Sequence, residues 1–299
     1  MMCPMGGHFL LKIDLRLKKP TTYTEQLARL RVHGVDIEDE GNALEFLQNV
    51  SYYRLSGYFL VFQDKNKKAD KISFDRIVSI YRFDSMMRFW FLAVIEEIEQ
   101  YLKTQISYYV AHKYGAESYL DESMFSRKHN HQVFREKLDT YKRENRNNPV
   151  FIHHETHYAG HMPIWAIVDV FTLGTLSIFY ADMKTEDKKS IARSSFSTGT
   201  KQLESWLRSL TELRNRCAHF ARLYFWHFIS TPRRAKNHGH NIDNTLFSQI
   251  YMLKLLHPNQ LRWNQHIQRL ICIHDEFIEQ IELQHIGFPE AWKCIISYA

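Results

Sequence analysis

An arginine and a histidine stand five residues apart in the string Arg214-Asn215-Arg216-Cys217-Ala218-His219. A guanidinium is a planar fork that fits two phosphate oxygens and keeps its charge at any physiological pH. An imidazole, with an unperturbed pKa of about 6.5, takes or gives a proton near neutrality. Together the two can grip a phosphodiester and move one proton. Cleavage by a neighbouring hydroxyl needs a base for the attacking oxygen, an acid for the leaving oxygen and positive charge on the phosphorane. One string supplies a single histidine and a single motif arginine, so a second copy is wanted to complete the set.

The element that must position these groups is the stretch 201–226. Leu203, Trp206, Leu207, Leu210, Leu213 and Cys217 recur there at three- and four-residue spacing, which predicts an α-helix with one apolar stripe. Arg214 falls in the middle of that stripe, where a buried guanidinium demands an anionic partner or an anion to bind. Asn215, His219 and Arg222, at i, i+4 and i+7, are expected to share a polar face with Arg208. On an ideal helix Arg214 and His219 point about 140° apart. A single copy therefore cannot aim both at one phosphate unless the helix bends or a long side chain wraps. Two copies related by a two-fold axis remove the difficulty, so a homodimer is expected.

A second long helix is predicted over 84–113, ending at Gly115. Phe91, Leu92, Val94, Ile95, Ile98, Tyr101, Leu102 and Ile106 give it a wide apolar arc, with Glu99 and Gln105 inside the arc. If the two helices pack together, Glu99 meets Arg214 or Asn215. Alternatively, Glu99 reaches solvent at the edge of the arc. The geometry alone leaves both open.

Two further groups of residues carry possible chemistry. His153, His157 and His161 are four apart and could present a row of metal ligands on a helix, but Pro149, Gly160 and Pro163 crowd the segment and HHETH lacks the HExxH spacing. A surface histidine loop is the competing reading, and no metal or cofactor is expected. Arg233, Arg234 and Lys236 form a basic loop that suits a phosphate backbone, or is an ordinary solvated connection.

Composition sets the frame. The chain has 299 residues, enough for one elaborated domain or two small ones, and 44% of them are hydrophobic. Only 11 Gly and 7 Pro occur, which favours long helices over turn-rich β architecture, and the expected fold class is all-α. A net charge of +6, with 17 histidines, fits a polyanionic partner, as it fits basic proteins that bind none. The four cysteines, Cys3, Cys217, Cys272 and Cys294, form no CxxC pair, so neither a zinc finger nor a disulfide framework is expected. No signal-peptide segment and no apolar run near the roughly 18 residues of a membrane span are found. A cytoplasmic protein with no membrane partner is expected.

In chain order, residues 9–17 alternate in polarity and suggest a short strand. Helices are predicted over about 24–33, stopped by Gly34, and 39–48, and a third through Tyr52 and Leu60 capped by Asn49 or Ser51. The tyrosines of the third either pack on the body or stack on unpaired bases. A helix starts from Ser73, and 115–160 is polar and irregular with one helix at about 130–145. Pro163 opens another helix that Gly174 breaks or tightens, and Thr185–Ser197 reads as a polar link. Helices at about 243–256 and 261–283 follow. The expected organisation is a tail or strand over 1–19, a small helical segment over 20–70, a helical core over 71–230 and a helical extension over 231–299.

The string LRNRCAHFARLY resembles the signature of the bacterial abortive-infection AbiD/AbiF family, which belongs to the HEPN superfamily of helical ribonucleases. KPTTYTEQLARLRVHG through FLQNVSYYRLSGYFLVF, and PIWAIVDVFTLGTLSIFY, resemble the same family. The resemblance implies a HEPN helical core and a metal-independent endoribonuclease toxin of an antiphage or toxin–antitoxin system. Its catalytic pair would be Arg214 and His219, with Asn215 and Glu99 in support and Arg208, Arg222, Arg233, Arg234 and Lys236 holding RNA. It also implies that two motifs pair across a dimer, and that a small structured RNA can serve as antitoxin. Two positions depart from the pattern. The family usually has Glu at Asp169, and it continues RLYN or RLWN where this chain has Phe225. A non-catalytic RNA-binding or interaction protein with the same fold is the alternative.

Overall fold

The computed structural model describes residues 19–62, 71–234 and 241–298. Their regular structure is almost entirely helical, with thirteen α-helices among the described residues. The alternating residues 9–17 lie outside them. The chain divides into two compact units, one through Ile77 and one from Val78.

In the first unit, α1 (Tyr23–Val32) opens with a capping box. Thr22 Oγ1 accepts the Glu25 amide at 3.2 Å and the Glu25 carboxylate accepts the Thr22 amide at 2.7 Å, satisfying two amides that the first turn leaves over. Gly34, at φ 78°, turns the chain out of the helix. A two-residue parallel pair that periodicity cannot reveal joins β1 (Val35–Asp36) to β2 (Ile72–Ser73). α2 (Glu40–Asn49) is capped by Asp39, and α3 (Tyr52–Phe59) by Ser51 rather than Asn49. Tyr58 is buried in the core of the unit, whereas Tyr53 points outward.

The second unit is a helical bundle. Its first element is the part from Val78 of α4 (Phe74–Tyr114), a single 41-residue helix. Phe91, Val94, Ile95, Ile98, Leu102 and Ile106 form its buried stripe. α5 (His131–Glu144) falls where a helix is predicted. α6 (Pro149–Tyr158) corrects the expectation of irregular chain there: the Asn148 side chain accepts the Val150 amide and Pro149 takes the first helical position, where its missing N–H costs nothing. α7 (Ile164–Ile167) and a 3-10 turn precede α8 (Leu173–Asp182). The break falls at Phe171–Thr172, with Thr172 as cap, so Gly174 lies inside α8 rather than interrupting it.

The segment expected as a polar link is a helix, α9 (Thr185–Phe196). Two of its polar residues, Asp187 and Lys188, are buried with partners: the Asp187 carboxylate accepts from Tyr109 and Tyr114 at 2.9 and 2.8 Å and pairs with Lys113. α9 also answers the polar groups of the α4 stripe. Ser195 Oγ donates to Gln105 at 2.8 Å, and Tyr101 donates to the Ser195 carbonyl at 3.0 Å. α10 (Thr200–Ala218) packs on α8, α9 and α11 (Leu246–Leu256). α12 (Gln260–Phe277) ends before the expected residue 283, and α13 (Trp292–Ile296) packs on α11. No helix of the described residues is long and apolar enough to cross a membrane.

Candidate functional site at the end of α10

The apolar stripe of α10 is buried as its spacing requires, from Leu203 through Leu213 to Cys217. Burial pushes the Cys217 thiol up to about 12. The helix stops at Ala218, short of the stretch through 226. His219 is the C-cap, Phe220 adopts a left-handed φ of 55°, and the Phe220 and Ala221 amides bond back to the Cys217 and Arg216 carbonyls at 3.1 and 2.8 Å. This is the paired closure that glycine normally makes. A phenylalanine there carries the steric cost of the left-handed region, and its ring is 59% exposed.

The early stop changes the expected site. Asn215 and His219 are exposed at the end of the helix, and Arg208 is exposed about two turns before Asn215. Arg222, beyond the helix, does not share their face; its carbonyl accepts from Arg216 Nη2 at 2.7 Å. Arg214 is half-buried rather than enclosed, and its Nη1 donates to Asn215 Oδ1 at 3.1 Å. The expected pair of Glu99 with Arg214 or Asn215 does not form. Glu99 accepts from Lys103 on its own helix at 3.0 Å, and Lys103 also donates to the Asp169 carbonyl at 3.0 Å. A lysine four residues on, itself buried, answers Glu99 without a second helix.

The buried charge pair near the motif is Asp84 with Arg88, neither of which sequence reasoning singled out. They are 1% and 4% exposed, and Arg88 Nη1 donates to Asp84 Oδ2 at 2.6 Å. Asp84 also accepts the Leu223 amide at 3.1 Å and the Tyr224 amide at 2.8 Å, fixing the chain that leaves the motif. Tyr224 continues the fixation through Glu282, whose amide donates to the Tyr224 hydroxyl at 2.8 Å. The second arginine of the string, Arg216, which lies outside the catalytic pair, stacks on Trp226 with its guanidinium carbon 3.5 Å from the ring centre. Burial lowers its pKa, and Glu212 and Asp84 oppose that shift. The sequence signal for Asp84 was its place on the edge of the predicted 84–113 helix, within reach of an apolar stripe.

Beyond Phe228 the chain runs back along α10. Ser209 and Ser205 donate to the Ser230 and Thr231 carbonyls at 2.9 and 3.2 Å. Glu212 accepts the Ile229 and Ser230 amides, and Trp206 Nε1 donates to the Arg233 carbonyl at 2.8 Å. Arg233 and Arg234 are thus held beside the helix with their side chains exposed, while Lys236 lies outside the described residues. Phe225, at φ 59°, packs on His285 with ring centres 4.3 Å apart.

The three histidines that could have made a row of ligands do not share one helix face. His153 and His157 stack on α6 at 4.5 Å, but Ala159 and Gly160 turn the chain left-handed. His161 therefore leaves the helix and meets Glu117 at 2.9 Å.

Fold and site together define an all-α protein that presents an arginine, an asparagine and a histidine at an exposed helix end. The family model of the Abi-like proteins matches residues 45–225, more than half of the chain, and the chain belongs to that family. The match ends at Phe225, just after the two residues whose amides Asp84 holds. No curated protein and no solved structure matches the chain.

Proposed function

We propose that this Abi-like protein is an abortive-infection endoribonuclease of the HEPN type and the AbiD/AbiF kind, cleaving RNA without a metal ion as a homodimer. The observation that carries the reading is the arrangement at the end of α10: His219 exposed at the cap, and Arg214 oriented by Asn215 one turn before it. In this mechanism one histidine takes the 2′-hydroxyl proton, and that oxygen attacks the phosphorus. The P–O5′ bond breaks as a second histidine, from the other chain, protonates the leaving oxygen. Arg214 carries the phosphorane charge. Arg208, Arg222, Arg233 and Arg234 attract the RNA backbone, with Lys236 as a further candidate. A small structured RNA is the proposed restraint on the toxin.

The test is incubation of purified protein with single-stranded RNA in EDTA, below the melting temperature of the metal-free chain. Fragments ending in 2′,3′-cyclic phosphate, lost on His219→Ala and Arg214→Ala, are expected. Cleavage that vanishes in EDTA and returns with a divalent ion would refute the mechanism. One observation favours a second reading, RNA binding without cleavage: Phe225 fills with an aromatic stack the place where a polar asparagine is expected. Retained RNA binding by a chain that cuts nothing would establish it.

A further inference from the structure

Glu97, His257 and His266 come together in the second unit, where they offer one ligand atom each within 4.8 Å of one another. Glu97 lies on α4, His257 follows α11 and His266 is on the second turn of α12. His257 Nε2 is 3.2 Å from Glu97 Oε2, and His266 Nε2 is 3.1 Å from Oε1. Two imidazole nitrogens and a carboxylate oxygen are a donor set for zinc-class ions. Bonds of about 2.0–2.1 Å at a tetrahedral angle separate such ligand atoms by roughly 3.3 Å, close to what is seen.

The second observation concerns protons. His257 Nδ1 is 2.9 Å from the Asn259 carbonyl, which can only accept, and 3.3 Å from the Asn259 amide, which can only donate; the shorter contact favours the hydrogen on Nδ1. Backbone carbonyls commonly orient metal-binding histidines in this way. Nε2 then faces the Glu97 carboxylate from 3.2 Å. The His257 side chain is 0% exposed, and its Nε2 makes no hydrogen bond of good geometry despite the close approach. A metal ion placed between that nitrogen and oxygen would give both a partner. Arg262 holds Oε1 of Glu97 at 2.7 Å from the outer side, as an outer partner of a ligating carboxylate does. Glu97 is partly open to solvent, which leaves room for water as a fourth ligand.

We propose that Glu97, His257 and His266 bind one zinc-class divalent cation that clamps the α11–α12 turn to α4. The site is structural. Glu97 is thirteen residues from Asp84, about 20 Å along α4, and the clamp takes no part in the chemistry at Arg214 and His219.

The experiment uses the full chain, stripped with EDTA, desalted and titrated with zinc chloride, with bound metal measured after gel filtration. One zinc per chain and a higher melting temperature are expected. Glu97→Gln and His257→Ala should each weaken binding by more than the roughly 10–100-fold that loss of an outer partner costs, and remove the thermal shift. His153→Ala/His157→Ala should change neither. Should His257→Ala fail to fold, the isosteric Glu97→Gln decides. A folded chain that binds no zinc, binding unchanged in the site variants, or binding lost only in the α6 variant would each overturn the proposal. None of these readouts depends on RNA cleavage, so the clamp and the ribonuclease reading fail separately.

Discussion

Replacing Asp84 should loosen the chain that leaves the motif more than any change at the motif itself. Asp84→Ala strands Arg88, which is 4% exposed, and removes the acceptor for the Leu223 and Tyr224 amides. Breaking a buried ion pair from one side costs about 3–5 kcal/mol, and an unsatisfied buried amide about 1–3 kcal/mol. Some water will reach the gap, so a loss of about 4–6 kcal/mol is expected against a typical total of about 5–15 kcal/mol. Asp84→Asn keeps an oxygen for the amides and should cost about 3 kcal/mol. Asp84→Ala/Arg88→Met removes both charges and should lose less than the two single changes combined. The assay is urea unfolding followed by tryptophan fluorescence. All 6 tryptophans lie beyond Val78, so the signal reports the second unit. Amide exchange at Leu223 and Tyr224 should accelerate in step. A loss below about 1 kcal/mol in Asp84→Ala, with both amides still protected, would refute the reasoning.

Three other outcomes follow from the geometry. Because Glu99 pairs with Lys103 and Arg214 with Asn215, the stability losses of Glu99→Ala and Arg214→Ala should add; a coupling above about 0.5 kcal/mol would show that they interact. Cys217, raised from 9.0 to about 12 in the folded chain, contributes stability that is complete below about pH 9 and is lost as pH rises towards 12. At pH 8.5 peptide mapping should find exposed Cys272 and Cys294 alkylated and Cys217 intact until urea is added; equal labelling would contradict its burial. If the active unit is a dimer with composite sites, mixing His219→Ala chains with wild type should change the activity per wild-type chain as the ratio varies, and constant activity would reject it.

The sequence carried most of the helices because their burial follows a 3.6-residue period, as in α4, α5 and α10. It misled where buried positions are polar. Asp187 and Lys188 made α9 look like a link, yet both are enclosed, with Lys188 bonded to Glu204 at 2.6 Å. The end of α10 was hidden for another reason: no glycine or proline marks it, because Phe220 takes the left-handed turn. The motif itself stood out by spacing and by family likeness. Its support did not, since Asp84 meets Leu223 across 139 residues of chain, and local pattern says nothing about pairing at that distance. Glu99 was plausible as the partner of Arg214 because an unpaired carboxylate on an apolar arc needs an answer; Lys103, on the same helix, supplied a nearer one.

The segment after the motif is gripped from both directions along the chain: by Asp84, made long before it, and by Glu282 and His285, made after it. On a ribosome adding about 5–20 residues per second, the interval between residues 224 and 285 is about 3–12 s. Throughout that time the Leu223–Tyr224 strap lacks part of its hold. A nascent chain, or one cut before residue 282, therefore holds the exit from its motif through Asp84 alone, without the Glu282 and His285 contacts. For a protein whose proposed activity would harm the cell making it, the order of synthesis itself delays the moment at which harm becomes possible.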